Sequence, residues 1–154
     1  MGEPSVGYLE SNLLSDEQLV YKARLHGIIF VKPCAIIFLG LIFLFIQPII
    51  AGVVLVIGLA AALPTWVDYV SSEFGVTNKR VIIKVGFIRR RTLELLLRHV
   101  EAISVDQSIM GRILNYGTIA LTGTGGVKEE FHNIARPLEF RRSLQAQSVA
   151  GDGR

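Results

Sequence analysis

The sequence contains few of the side chains that build metal centres and disulfides. One cysteine, Cys34, and three histidines, His26, His99 and His132, occur among 154 residues. A single cysteine cannot form an intrachain disulfide or a cysteine-based metal cluster. The histidines are far apart in the sequence and none has a carboxylate at ligand spacing, so no metal site is predicted.

Signatures of catalysis are also missing. No serine, threonine or cysteine lies in a nucleophile-elbow pattern. The glycine-rich stretch Gly123–Gly126 lacks the Gly-Lys-Ser/Thr that completes a phosphate-binding loop, and it separates two predicted strands. A hairpin turn explains these glycines better. The chain is therefore predicted to be no enzyme and to bind no cofactor.

Charge is distributed unevenly along the chain. Residues 1–21 contain four acidic residues and no lysine or arginine, whereas residues 71–154 contain thirteen basic residues against eight acidic ones. A basic segment is attracted to the anionic lipid of a cytoplasmic leaflet. No recognition helix, zinc spacing or aromatic-basic RNA motif accompanies the charge, so nucleic acid is not a predicted partner.

Two long apolar runs dominate the first half. Ile28–Ile46 has Lys32 as its only charge, and Ile49–Val67 has none. As a helix, each run of 19 residues covers roughly the 30 Å of a bilayer's hydrocarbon core. Gln47 and Pro48 separate them, and a turn this short makes the helices antiparallel. The runs predict a transmembrane hairpin over 28–67, with a pair of buried core helices as the alternative.

Basic residues flank the two runs, and the turn between the runs carries no charge. By the positive-inside rule, both termini are predicted to be cytoplasmic and the turn external. Lys32 lies one turn inside the first run, where its stem can extend the amine to the headgroups. Trp66 and Tyr69 bracket the matching end of the second run, a usual place for amphipathic aromatics. The flanking basic residues are Lys22, Arg24, Lys79, Arg80 and Lys84.

Beyond the runs, the apolar pattern changes to a period of two. Such alternation at intervals of about 8–12 residues predicts an antiparallel meander or small barrel. Residues 18–25 also alternate in part, which favours a strand, although Ser15–Glu17 could cap a helix there. Pro137 and the apolar residues that follow it predict an amphipathic helix through about Gln147, which would bury Phe140 and Leu144 against the sheet. The predicted strands are Arg80–Gly86, Thr92–Leu97, 103–106, 118–122 and, more weakly, Val127–Ile134.

Several motifs resemble one family. They are TNKRV at 77–81, KVG at 84–86, MGRILNYGTI at 110–119 and GTGG at 123–126. Their order and spacing resemble the bacterial pleckstrin-homology proteins of the YdbS-like, membrane-flanked type. The resemblance implies a strongly bent antiparallel sheet or barrel closed by a carboxy-terminal helix, in an α+β protein of the bacterial inner membrane. The hairpin would then be inserted between the first and second strands.

The resemblance and the pattern together predict four segments. Residues 1–27 form a cytoplasmic segment that could supply the first strand, and 28–67 form the hairpin, with spans 28–46 and 49–67. Residues 72–147 form the pleckstrin-homology-like domain, and 148–154 a flexible tail.

Two groups of residues are candidate contact sites. Arg89, Arg90 and Arg91 fall in a predicted turn and, with Lys84 and Lys79, could contact anionic lipid or a partner; a solvated turn is the plainer interpretation. In the second run, small residues permit close helix packing, within the hairpin or with another chain. These small residues are Gly52, Gly58 and Ala62.

The predicted function is a non-catalytic, membrane-anchored interaction module, a scaffold or accessory subunit of a membrane complex. The alternative is a sensor of anionic lipid at the cytoplasmic leaflet. The predicted partners are membrane lipids and either further copies of the chain or a larger membrane protein complex.

Overall fold

A computed structural model describes residues 8–86 and 91–152. After a short helix α1 (Tyr8–Ser11), strand β1 (Leu19–Ala23) leads into a 3₁₀ turn (Gly27–Phe30). The remaining elements are α2 (Val31–Phe43), α3 (Pro48–Ser71), β2 (Glu73–Thr77), β3 (Arg80–Val85), β4 (Arg91–Leu96), a 3₁₀ turn (Leu97–His99), β5 (Val100–Asp106), α4 (Ile109–Leu114), β6 (Tyr116–Gly123), β7 (Lys128–Ala135) and α5 (Pro137–Asp152).

The two apolar runs form helices α2 and α3, here called the helical pair. Gln47 is extended and Pro48 occupies the first turn of α3, so the chain reverses between the helices. A Cβ atom at Gly40 would lie 2.9 Å from Leu55, and one at Gly58 would lie 2.7 Å from Ile37. These contacts match an antiparallel register, in which two glycines bring the helices close together.

The helices differ in length from the predicted spans. α3 has 24 residues and continues four residues beyond the predicted end at Val67, whereas α2 ends at Phe43, three residues before Ile46. Among the described residues, α3 is the one helix long and apolar enough to cross a membrane. The apolar helical stretch Gly27–Phe43 is shorter.

The first antiparallel sheet has the strand order β1-β2-β3-β4. Residues 18–25, where alternation favoured a strand, contain β1. The registers pair Ala23 with Phe74, Glu73 with Lys84, and Val85 with Arg91. The helical pair joins β1 to β2 at this end of the sheet, here called the helical end. The β2–β3 turn lies at the opposite end, here called the far end, together with residues 12–18, which precede β1 and contact this turn.

The second sheet, β5-β6-β7, continues the first through the chain that follows β1. Leu25 forms a bridge with Ile134, and the His26 amide donates to the Asn133 carbonyl at 2.7 Å. Asn133 adopts a positive φ of 58°, a backbone conformation that asparagine tolerates better than most residues. The two antiparallel sheets meet along this segment and bend around a common core, in agreement with the predicted antiparallel architecture.

The core lies inside this bend, and α5 covers it. Phe140 and Leu144 of α5 are buried, in agreement with the sequence prediction. Phe74 and Phe131 meet edge to face there, with ring centroids 6.0 Å apart. Burial of each large side chain contributes about 2–3 kcal/mol. α5 extends to Asp152, five residues beyond the predicted end at Gln147.

Candidate membrane-facing surface

The predicted basic cluster is divided between the two ends of the first sheet. Lys84 and Arg91 lie at the helical end, and Arg91 is 76% exposed, with Glu129 at 3.8 Å. Lys79 lies in the turn at the far end, five residues before Lys84 and therefore about 17 Å from it along β3. Arg89 and Arg90 fall outside the described residues. β3 ends and β4 begins at the helical end, where Val85 pairs with Arg91.

Arg80, which the charge pattern placed among the flanking cations, lies in an internal network at the far end. Its Nε and Nη2 atoms each donate to the Glu17 carboxylate at 2.9 Å, and its Nη1 donates to Glu94 at 2.6 Å. Thr77 Oγ1 donates to Glu17 at 2.7 Å. The side chain of Glu17 is fully buried. This network attaches the segment before β1 to the β2–β3 turn.

Burial alone would raise the pKa of Glu17. Hydrogen bonds from Arg80, Thr77 and the Leu14 amide stabilise the carboxylate more strongly, so the pKa of Glu17 is lowered overall. The sequence separates Glu17 from Arg80 by 63 positions, and only the fold brings them together.

Aromatic and polar contacts attach the helical pair to the sheet. The His26 Nδ1 atom accepts from the Ile28 amide at 3.1 Å and so caps the 3₁₀ turn that begins the pair. The ring of His26 stacks on Tyr116, with centroids 5.2 Å apart. Phe30 meets Tyr69 edge to face at 5.4 Å. The His26–Tyr116 stack therefore attaches β6 to the segment before α2, and the Phe30–Tyr69 contact joins that segment to α3.

An open apolar groove of about 590 Å³ lies beside α3, near its carboxy-terminal end. Ala62, one of the predicted small packing residues, lines the groove, and Gly58 lies between the two helices. Gly52 faces open space, with no other atom within 4 Å of an added Cβ. The groove is lined by Phe30, Leu59, Ala62, Leu63, Trp66 and Tyr69.

Helix α4 is a feature that the sequence pattern did not predict. Its four large apolar side chains, here called the α4 face, are exposed: Ile109 by 79%, Met110 by 56%, Ile113 by 71% and Leu114 by 40%. Two signals in the sequence point to this helix. Ser108 is a typical helix N-cap, and the four apolar residues form two i,i+4 pairs.

Two of the three histidines form hydrogen bonds that stabilise local structure. His26 caps a helical turn, and His132 forms a hydrogen bond with Thr118 at 3.0 Å. No three metal-ligating side chains cluster among the described residues.

Two antiparallel sheets that bend around one core, with a carboxy-terminal helix over it, fit a small domain of the pleckstrin-homology type. The chain matches a family described as Bacterial PH domain over residues 28–148, and it belongs to that family. The match confirms the family predicted from the motifs, whereas the YdbS-like subtype stays a prediction. No curated protein and no solved structure matches the chain. Domains of this type are typically non-catalytic interaction modules.

Proposed function

We propose that the protein is a membrane-anchored interaction module, a scaffold or accessory subunit whose domain is held at the cytoplasmic leaflet. The observation that carries the proposal is the exposed apolar surface of the helical pair. Phe45 at its turn is 94% exposed, and most large apolar side chains of both helices are also exposed. A contiguous apolar surface of this kind is stable in lipid and marks an interaction site in water.

The geometry of the first helix supports two membrane spans. Amides 44–46 donate to carbonyls 41–43, three residues back, so a tighter helical turn continues α2 to Ile46. A similar 3₁₀ turn precedes α2 at Gly27–Phe30. With a rise of about 1.5 Å per α-helical and about 2.0 Å per 3₁₀ residue, residues 27–46 extend about 33 Å. This length matches a hydrocarbon core of roughly 30 Å.

Cysteine labelling in bacterial cells tests the anchor and its orientation. Gln47→Cys and Leu14→Cys are each made in a Cys34→Ser background and exposed to a membrane-impermeant maleimide. Gln47 lies at the turn of the helical pair and Leu14 at the far end of the sheet. We expect the cysteine at position 47 to react in intact cells and that at position 14 to react only after permeabilisation. Release of the protein from membranes by alkaline carbonate would contradict the anchor. Reaction of the cysteine at position 14 in intact cells would contradict the orientation.

The strand order favours a protein partner for the domain. β4 is an edge strand of the first sheet and β5 an edge strand of the second, whereas the other two edges, β1 and β7, meet through the segment that follows β1. An edge strand presents unpaired backbone amides and carbonyls. Such an edge can bind an extended segment of another chain. The full-length protein is extracted in mild detergent, and the subunit composition and mass of the purified particle are measured. We expect the particle to contain a partner protein at fixed stoichiometry. A particle containing only one copy and lipid would favour the alternative function.

The alternative is recognition of anionic lipid, and the position of Arg91 and Lys84 at the helical end favours it. We expect the change of Arg89, Arg90 and Arg91 to serine to lower the amount of co-purified anionic phospholipid. The expected affinity loss is about fivefold per arginine, since a basic residue near the leaflet contributes about 1 kcal/mol. Mass spectrometry of the lipids that co-purify with the full-length protein measures the amount of bound anionic phospholipid.

Lys79→Ser is the matched control for this experiment, because Lys79 is basic and exposed but lies at the far end. Its lipid content should stay unchanged. Equal loss in both variants would indicate a general charge effect and would contradict specific contact. The full-length chain is required because residues 71–154 alone would lack β1, which pairs with β2.

A further inference from the structure

The α4 face is held rigidly although its side chains contact little of the protein. Ser108 Oγ accepts from the Gly111 amide at 3.1 Å at the start of the helix, and Asn115 ends it in a left-handed conformation with φ 58°. The side-chain Nε2 of Gln107 donates to the backbone carbonyls of Gly111 and Tyr116 at 3.2 and 2.9 Å. Both ends of α4 are therefore fixed, and its apolar side chains stay exposed at the surface of the domain.

This helix lies beside the base of the helical pair. α4 ends two residues before Tyr116, whose ring stacks on His26. His26 in turn caps the turn that opens the first apolar helix. The span from Leu114 to Tyr116 is at most about 7 Å. The α4 face therefore lies close to the apolar surface proposed to enter the membrane, with the stacked rings of Tyr116 and His26 between them.

The charges around the α4 face are those of an interfacial element. Arg112 is the only charged residue between Gln107 and Thr118, and it is exposed. The exposed Arg24 and Arg136 lie next to the same segment: the Arg24 carbonyl accepts from Ala135, and the Arg136 amide donates to Asn115. Arg136 also has an exposed ion pair with Glu139 at 3.7 Å. Large apolar side chains flanked by basic residues are typical of helices that lie in the plane of a membrane interface.

We infer that α4 inserts its apolar face into the headgroup–acyl boundary of the leaflet from which the helical pair enters the bilayer. Arg24, Arg112 and Arg136 would lie at the level of the headgroups. The inference rests on the proposed membrane anchor and extends it, because a second contact fixes the orientation of the domain relative to the bilayer. That orientation determines which sheet edges remain open to a partner.

Fluorescence quenching in proteoliposomes tests the inference. Single cysteines replace Ile113, Val56 or Leu14 in the full-length Cys34→Ser protein, and each carries an environment-sensitive NBD label. The vesicles contain phosphatidylcholine and phosphatidylglycerol, with nitroxide lipids spin-labelled near the headgroup or deep in the acyl chain. Val56 reports on the helical pair, whereas Leu14 is a matched control: it is also apolar and exposed, but lies at the far end.

We expect the label at position 113 to shift to the blue and to be quenched at least twofold more by the shallow nitroxide than the label at position 14. The label at position 56 should be quenched best by the deep nitroxide. Quenching at 56 with water-exposed labels at both 113 and 14 would overturn the inference and leave the anchor intact. A label at position 113 that is shielded from aqueous iodide but not quenched by the nitroxide lipids would show that a protein covers the α4 face. That result would also overturn the inference. An unquenched label at 56 would overturn the anchor itself.

Discussion

Replacement of Glu17 by alanine is expected to lower the free energy of unfolding by about 3 kcal/mol, the scale of breaking a buried ion pair. The variant removes the carboxylate that accepts two hydrogen bonds from Arg80 and one from Thr77. Arg80 would keep its contact with Glu94, but its Nε would face a largely buried space without its partner. The segment before β1 would lose its main polar attachment to the sheet. Chemical denaturation of the full-length protein in detergent, followed by circular dichroism, measures the loss.

Glu130→Ala provides the control for Glu17. Glu130 also accepts from a basic side chain, Lys128 at 2.6 Å, but both partners are exposed and solvent screens their attraction. We expect little change in stability for this variant. If the two variants lost the same stability, the buried network would have no special role.

The dependence of stability on pH provides a second readout for Glu17. Because its folded-state pKa is lowered, its stabilising contribution is complete above the unfolded-state value of about 4.3. The contribution is lost as pH falls through the folded-state pKa. The natural protein should therefore lose stability on acidification more steeply than Glu17→Gln, which keeps the shape of the side chain without the carboxylate. Parallel stability curves for the two proteins between pH 5 and the acid limit would contradict this assignment.

Gly58→Leu is expected to disrupt the packing of the helical pair. Even a Cβ atom at this position would approach Ile37 to 2.7 Å at its side chain and 3.1 Å at its backbone nitrogen. The side chain of Ile37 can move, but the helix backbone cannot move without separating the helices. Overpacking of this kind costs typically about 1–3 kcal/mol. Thermal unfolding in detergent and the yield of monodisperse protein measure the effect.

Gly52→Leu is the matched variant, because it places the same side chain on the same helix where nothing lies within 4 Å. Its stability and yield should stay close to those of the natural protein. A Gly52→Leu variant as unstable as Gly58→Leu would show that Gly52 has a contact outside this chain. If neither variant were unstable, the two helices would not pack through Gly58.

Much of the sheet could be predicted because its strands alternate in burial or in polarity. β3, β6 and β7 overlap their predicted segments, and β4 is displaced by only one residue. β2 escaped prediction because it does not alternate: four of its five residues are buried, and Gly75 lies under Leu9 of the preceding segment. The pattern of a strand covered on both faces resembles any short apolar run. α4 escaped because it is only six residues long and its apolar residues do not face the core.

The contact residues were less predictable than the fold. Lys79, Lys84 and Arg91 are close in the sequence, and the reversal of the chain between β2 and β3 places Lys79 at the other end of the sheet from the other two. Glu17 and Arg80 meet only because β1 pairs with β2, and the whole helical pair separates these two strands in the sequence. Periodicity identifies which residues belong to a strand, but it does not report which end of the sheet a turn occupies.

The position of β1 makes the domain discontinuous in the sequence, and this affects how the protein is made. β1 leaves the ribosome about fifty residues before its partner β2, with both apolar helices between them. The antiparallel helical pair returns the chain to the site where β2 can join β1. Closing a flexible loop of the same length would cost more conformational entropy. Completion of the sheet therefore depends on formation of the helical pair. A chain whose helices failed to form would leave the edge of β2 open, and an open strand edge can pair with the strands of other chains.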